Sequence, residues 1–110
     1  MIYKIITTKQ ADLDLRGIYE YIAFKLLSVE NAKKQLDRLE KSIISLNEFP
    51  EKFKLYEQEP WFSKGRRVMP VDNYLVFYIV NKDIKTVTII RIMYNGRDVD
   101  SQLALLLSLY

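Results

Sequence analysis

Cysteine and histidine are both absent from the sequence. Without cysteine there is no disulfide, no thiolate nucleophile and no Cys-ligated metal, an absence that fits a reducing compartment. Without histidine the chain lacks the usual general acid/base near neutral pH and the commonest metal ligand, so neither a metal site nor a cofactor is expected. Glycine and proline are scarce, three of each, which predicts few and short loops. The longest fully apolar run, Tyr74–Val80, is far too short to span a bilayer. Residues Met1–Ile6 lack the basic start and long apolar core of a signal peptide. A soluble, cytoplasmic protein without membrane contact is the expectation.

What is present points to a folded chain. Hydrophobic residues make up 49% of the 110 positions and charged residues 28%, the profile of one globular domain over residues 1–110. The net charge of +3 is modest but unevenly spread. Between Trp61 and Arg97 stand Lys64, Arg66, Arg67, Lys82, Lys85, Arg91 and Arg97 against only Asp72 and Asp83. Such a segment fits an acidic partner, nucleic acid or protein, or else a solvated face.

Periodicity organises the rest. Ile2–Ile6 reads as a strand. The Thr7–x–x–Gln10 spacing is a capping-box signature. Behind it Ala11, Leu15, Ile18, Ile22 and Leu26 form one apolar helix face. Ser28 can cap a second helix with Ala32, Leu36, Leu39, Ile43 and Leu46 inward and Lys33, Lys34, Asp37, Arg38 and Lys41 outward. Two such helices should pack as an antiparallel hairpin, which Phe49-Pro50 ends. Residues 51–63 read as a loop anchored by Trp61 and Phe62. Arg66–Val71, Tyr74–Val80 and Thr86–Ile92 read as strands, the middle one apolar on both faces, with turns at Asp72-Asn73 and 81–85. Asp98–Tyr110 has the makings of a third helix, capped by Asp100. Its apolar stretch Leu103–Leu109 requires cover, from its own sheet, a second subunit or a partner chain. The fold class is α+β in the order β-α-α-β-β-β, with that C-terminal helix as an option.

Four ordered blocks carry a family resemblance. They are Ala11–Leu15 leading to Ile18–Ala23; Leu46–Pro50; Arg67 followed by Val71–Tyr78; and Val87–Ile92 followed by Tyr94–Asp98. The set resembles the RelE/ParE toxins of bacterial type II toxin–antitoxin systems over nearly the whole chain. The resemblance implies a helical hairpin on a twisted, mostly antiparallel four-stranded sheet, and a cognate antitoxin wrapped around it. It also implies one of two targets: messenger RNA cut on the ribosome by the RelE arm, or DNA gyrase inhibited by the ParE arm. An inactive member that only binds its antitoxin is a third reading.

For RNA cleavage the resemblance nominates Arg66 or Arg67 to hold the phosphate, Arg97 to stabilise its charge and Tyr94 to move a proton. For target binding it nominates Lys64, Arg66 and Arg97. The departures favour the ParE arm. Leu75 stands where ribonuclease members carry a basic residue, Val68 and Met69 replace their Lys–x–Lys pattern, and the first helix has the ParE-like Asp-Leu and Tyr-Ile-Ala pattern. Several of these residues, and others, also have a structural reading. Arg66 and Arg67 must face opposite ways on a strand. Arg91, inside an apolar strand, requires a carboxylate such as Asp12 or Asp14. Tyr74 and Tyr78 read as core, whereas Tyr19, Tyr21 and Phe24 cannot all point inward, which leaves an exposed aromatic to contact the antitoxin or gyrase.

Overall fold

The computed structural model describes residues 2–95. The C-terminal helix expected over Asp98–Tyr110, the apolar stretch Leu103–Leu109 and Arg97 lie outside the described residues. Strand β1 (Lys4–Thr7) leads into helix α1 (Lys9–Glu20), which continues as a single π-helical turn over Tyr21–Lys25. Helix α2 (Val29–Ile44) follows, then two 3₁₀ turns at Ser45–Asn47 and Pro50–Lys52. Strands β2 (Arg67–Val71), β3 (Tyr74–Asn81) and β4 (Thr86–Tyr94) complete a mixed sheet in the order β1-β4-β3-β2. β1 pairs parallel with β4, and the other two pairings are antiparallel. Among the described residues no helix is long and apolar enough to cross a membrane.

The expected capping box shifts by one residue. Pairing of Thr7 with Ile89 holds Thr7 in β1, so Thr8 becomes the cap, accepting the Ala11 amide at 3.1 Å. Its hydroxyl also donates to the Ile90 carbonyl at 3.0 Å, beyond the last residue β1 can pair. α1 thus seals the β4 edge that β1 is too short to cover. The expected apolar face of α1 fails at its end, because the wide π turn rotates the chain and leaves Leu26 exposed. In α2 the Ser28 cap forms, and Ala32, Leu39 and Ile43 are buried together with Gln35.

Side chains alternate across the sheet. Met69, Val71, Val76, Tyr78, Val87, Ile89 and Ile92 meet Ala11, Leu39, Ile43 and Leu46 beneath the hairpin. On the opposite face Val68, Phe77 and Met93 pack with Trp61, which brings the 53–66 loop across the sheet. Phe62 does not join it; that ring is exposed, and Trp61 alone is the buried anchor. β3 is therefore covered on both sides, as its uninterrupted apolar run requires.

Candidate functional site

Arg67, at the head of β2, is held by its own chain. Its guanidinium donates to the Phe53 carbonyl at 2.8 Å and pairs with the Glu51 carboxylate at 3.2 Å. The other oxygen of Glu51 takes Lys82 Nζ at 3.1 Å. Alongside, the buried Tyr78 hydroxyl donates to the Pro50 carbonyl at 2.6 Å. Together these bonds tie the Pro50–Lys52 turn to the sheet. Burial pushes the Tyr78 phenol up to about 12, outweighing the nearby Arg67 charge that draws it down. A tyrosine whose folded pKa is raised keeps its full stabilisation below pH ~10 and loses it as pH rises towards ~12. Tyr78→Phe should lower stability by about 1–3 kcal/mol at neutral pH, since the Pro50 carbonyl loses its partner. Chemical denaturation at pH 8 and pH 11.5 should show a steep loss for the native chain and a shallower one for Tyr78→Phe. Parallel losses would show that Tyr78 is not what titrates.

Arg66 points the other way, as alternation demands, and is buried. Its guanidinium lies 5.7 Å over the Trp61 ring and donates to the Lys64 carbonyl at 3.0 Å. The backbone around it closes the loop, with the Tyr56 amide on the Arg66 carbonyl at 2.7 Å. The structure thus places Arg66 under the loop instead of on a contact surface. Lys64 stands exposed on the turn above it.

Tyr94 belongs to a different place. It ends β4 with its ring edge-on to Tyr74 at 5.8 Å, on one wall of a cleft of about 920 Å³ between the hairpin and the β3–β4 ribbon. Leu13 and Ile18 of α1, Tyr21 and Leu26 at the two ends of the π turn, and Ile92 of β4 supply apolar lining, and Lys34 and Arg38 of α2 supply cationic lining. Burial, then the neighbouring Tyr94 and Tyr21, push the Tyr74 phenol up. In the wall Asp14 takes both the Nε and Nη2 of Arg91, at 2.7 and 3.0 Å, and the Ile92 amide at 2.9 Å. The expected Arg91 ion pair is thus present, with Asp14 as its acid. A β-bulge falls beside it, where the β3–β4 register slips between Phe77 and Tyr78; such slips re-aim side chains. At the rim Asp72 accepts from Arg38 Nε at 2.7 Å and Gln35 Nε2 at 2.9 Å, and those bonds hold its carboxyl below the usual range.

Lys34 and Arg38 were expected on the outer face of α2, and the cleft includes them. The legible sign was Gln35, a polar residue in the apolar register of that helix, which is buried and accepts from Arg38 Nη2 at 3.3 Å.

The proposed catalytic residues come apart. Arg67 pairs with Tyr78 across β2–β3, and Tyr94 pairs with Tyr74 across β3–β4. Four residues along β3 and two strand spacings separate them, roughly 16 Å between Cα atoms at ordinary sheet dimensions. Their functional atoms also face different features, the Glu51 turn and the cleft. Among the described residues no group of three or more His, Cys, Asp or Glu is placed to hold a metal ion. The cleft, with apolar walls and cationic flanks, suits an extended or helical segment bearing apolar and acidic side chains.

The family model for the ParE toxin of type II toxin–antitoxin systems, parDE, matches residues 5–99. Among solved structures, the chain is similar to a protein of the chromosomal ParDE system of P. aeruginosa. That match has TM-score 0.69 and 21% identity, and covers 84% of this chain and 96% of that one. It is also similar to a chain of a RelBE toxin–antitoxin complex from Mycobacterium tuberculosis, with TM-score 0.66 and 18% identity over 86% and 99% of the two chains. A free-state E. coli RelE toxin carrying two arginine-to-alanine changes aligns with TM-score 0.64 and 16% identity over 97% and 99%. At these identities the likeness is one of fold. No curated protein sequence matches.

Proposed function

The chain belongs to the ParE toxin family of type II toxin–antitoxin systems, and from that premise we propose that it arrests growth by binding DNA gyrase, not by cutting RNA. It acts as a single cytoplasmic toxin domain spanning residues 1–110. The observation that carries this reading is the separation of Arg67 from Tyr94. An endoribonuclease needs a phosphate clamp and a proton carrier converging within hydrogen-bond reach of one substrate. Here the clamp candidate is engaged by Glu51 and Phe53, and the proton carrier stands two strands and four residues away. A binding inhibitor has no such requirement.

A cognate antitoxin is the second partner. The cleft walled by α1, α2 and β4 is its seat, and an acidic, apolar segment there would exchange for the Glu30 and Asp72 carboxylates now on the exposed Lys34 and Arg38. This fits the toxin–antitoxin complexes among the structural neighbours.

The test is expression of the toxin in growing cells without antitoxin, with parallel mapping of messenger-RNA ends and gyrase-linked DNA breaks. DNA breaks with intact RNA are expected. Tyr94→Phe should change growth inhibition less than about tenfold, whereas loss of a proton carrier costs about 10²–10⁴-fold in a catalysed step. Codon-phased RNA ends without DNA breaks, abolished by Tyr94→Phe or Arg67→Ala, would sink the gyrase reading in favour of ribosome-dependent cleavage.

A further inference from the structure

We propose that the tip of the helical hairpin is a self-association surface on which a second copy of this chain docks, with Phe24 and Leu27 at its centre. The tip is built unlike the rest of the hairpin. α1 widens into its π turn, the Leu26 amide reaches the Tyr21 carbonyl at 3.1 Å, and the Ser28 amide reaches the Ile22 carbonyl at 3.2 Å. This closure turns Phe24 outward, 65% exposed, and holds Leu27 at φ 55° with 85% of its surface in water. A left-handed position after a helix ordinarily takes glycine, because a side chain there crowds the backbone. Leucine at this position carries that steric cost and an exposure cost together. Backbone strain of this kind concentrates where a surface has a task.

Val29 is exposed on the same tip, and Tyr21 and Leu26, exposed beside it, also line the end of the cleft, so a second copy here would share that edge with the antitoxin. With Phe24 and Leu27 they present about 600 Å² of mostly apolar surface, at the upper end for a monomer. That is roughly three-quarters of what one side of a standard interface contributes. The surrounding charges select the occupant. Residues 20–30 carry Glu20, Lys25 and Glu30, so both signs rim the patch and the chain's positive excess lies elsewhere. Glu30 is paired with Lys34 of its own helix at 3.4 Å, so a two-fold axis through the tip would set Lys25 of one copy against Glu20 of the other, the self-complementary pattern of an isologous dimer. Polyanionic nucleic acid or an anionic bilayer meets two carboxylates there instead.

Sedimentation of the full chain at micromolar concentration should show a dimer, and Leu27→Asp or Phe24→Asp should weaken it about tenfold or more. Leu27→Gly separates assembly from folding. It relieves the left-handed strain while removing the apolar side chain, so thermal stability should hold or rise as dimer is lost. Because the native chain has no cysteine, Leu27→Cys adds a unique thiol that should form an intersubunit disulfide under mild oxidation. Ile84→Cys, exposed in the β3–β4 turn, should not. A monomer throughout, a dimer indifferent to Leu27→Gly, or equal crosslinking of both thiols would overturn the proposal. A monomer whose Leu27→Cys thiol is shielded only by bound antitoxin would assign the patch to that partner and overturn it equally.

Discussion

Asp14→Ala is expected to lower stability by about 3 kcal/mol or more, the cost of leaving a largely buried cation without its partner. The Arg91 and Asp14 side chains keep only 17% and 10% of their surface in water, so neither can fall back on solvent when the other is lost. The carboxylate has a second task, accepting the Ile92 amide on the stretch of β4 that β1 does not reach. Its removal orphans a guanidinium and a backbone donor at once. For a domain of this size the melting temperature should fall by roughly 12 °C or more. Asp14→Asn keeps one acceptor and should cost less. Changing Asp14 and Arg91 together to leucine should recover part of the loss, since apolar replacement of a buried pair is often near neutral. The exposed Lys41–Asp37 pair, at 2.9 Å with side chains 76% and 60% exposed, supplies the contrast. Asp37→Ala should cost below about 1 kcal/mol. An equally small effect for Asp14→Ala would show that the Arg91 pair is not desolvated.

That pair also marks how far local chemistry reaches in the sequence. A charged residue inside Thr86–Ile92 demands an acid, and an acid on α1 was foreseeable. Asp12 and Asp14 could not be separated, because the choice depends on where α1 crosses β4, a contact between residues 77 positions apart. The β2–β4 boundaries came within two residues, since alternation and the Asp72-Asn73 turn are local signals. The π turn was invisible: one extra residue in a helical turn leaves no compositional trace, yet it moved Leu26 from the core to the surface. Tertiary placement likewise decided the candidate site. Alternation correctly put Arg66 and Arg67 on opposite faces, but the burial of Arg66 depends on a loop folding back over it. Sequence order made Arg67 and Tyr94 candidates for one site, and strand pairing set them two strands and four residues apart.

Trp61→Ala should cost about 3–5 kcal/mol, the range for truncating a buried aromatic. Trp61 is the one large side chain that pins the 57–66 turn onto Val68, Phe77 and Met93. Its ring also underlies the Arg66 guanidinium. Tyr56, edge-on to Phe77 at 5.3 Å, gives the loop a second contact, and backbone bonds from Tyr56 to Arg66 and from Val68 to Lys54 hold its two ends. Loss of the indole therefore should loosen the middle of the loop while its ends stay paired. Limited proteolysis should cleave Trp61→Ala within residues 57–65 much faster than Asp14→Ala at equal distance below each melting point. Phe77 links the two sites, pairing with Arg91 across β3–β4 and packing on Trp61, so their effects should add only roughly. The summed loss, about 6 kcal/mol or more, is comparable to the whole stability of many domains this size, and the double variant should not fold at 37 °C. Trp61→Ala alone should still bind antitoxin, because the cleft opens on the hairpin side of the sheet. A cost below about 1 kcal/mol with unchanged cleavage would mean that the loop is held by its backbone bonds and Tyr56 instead.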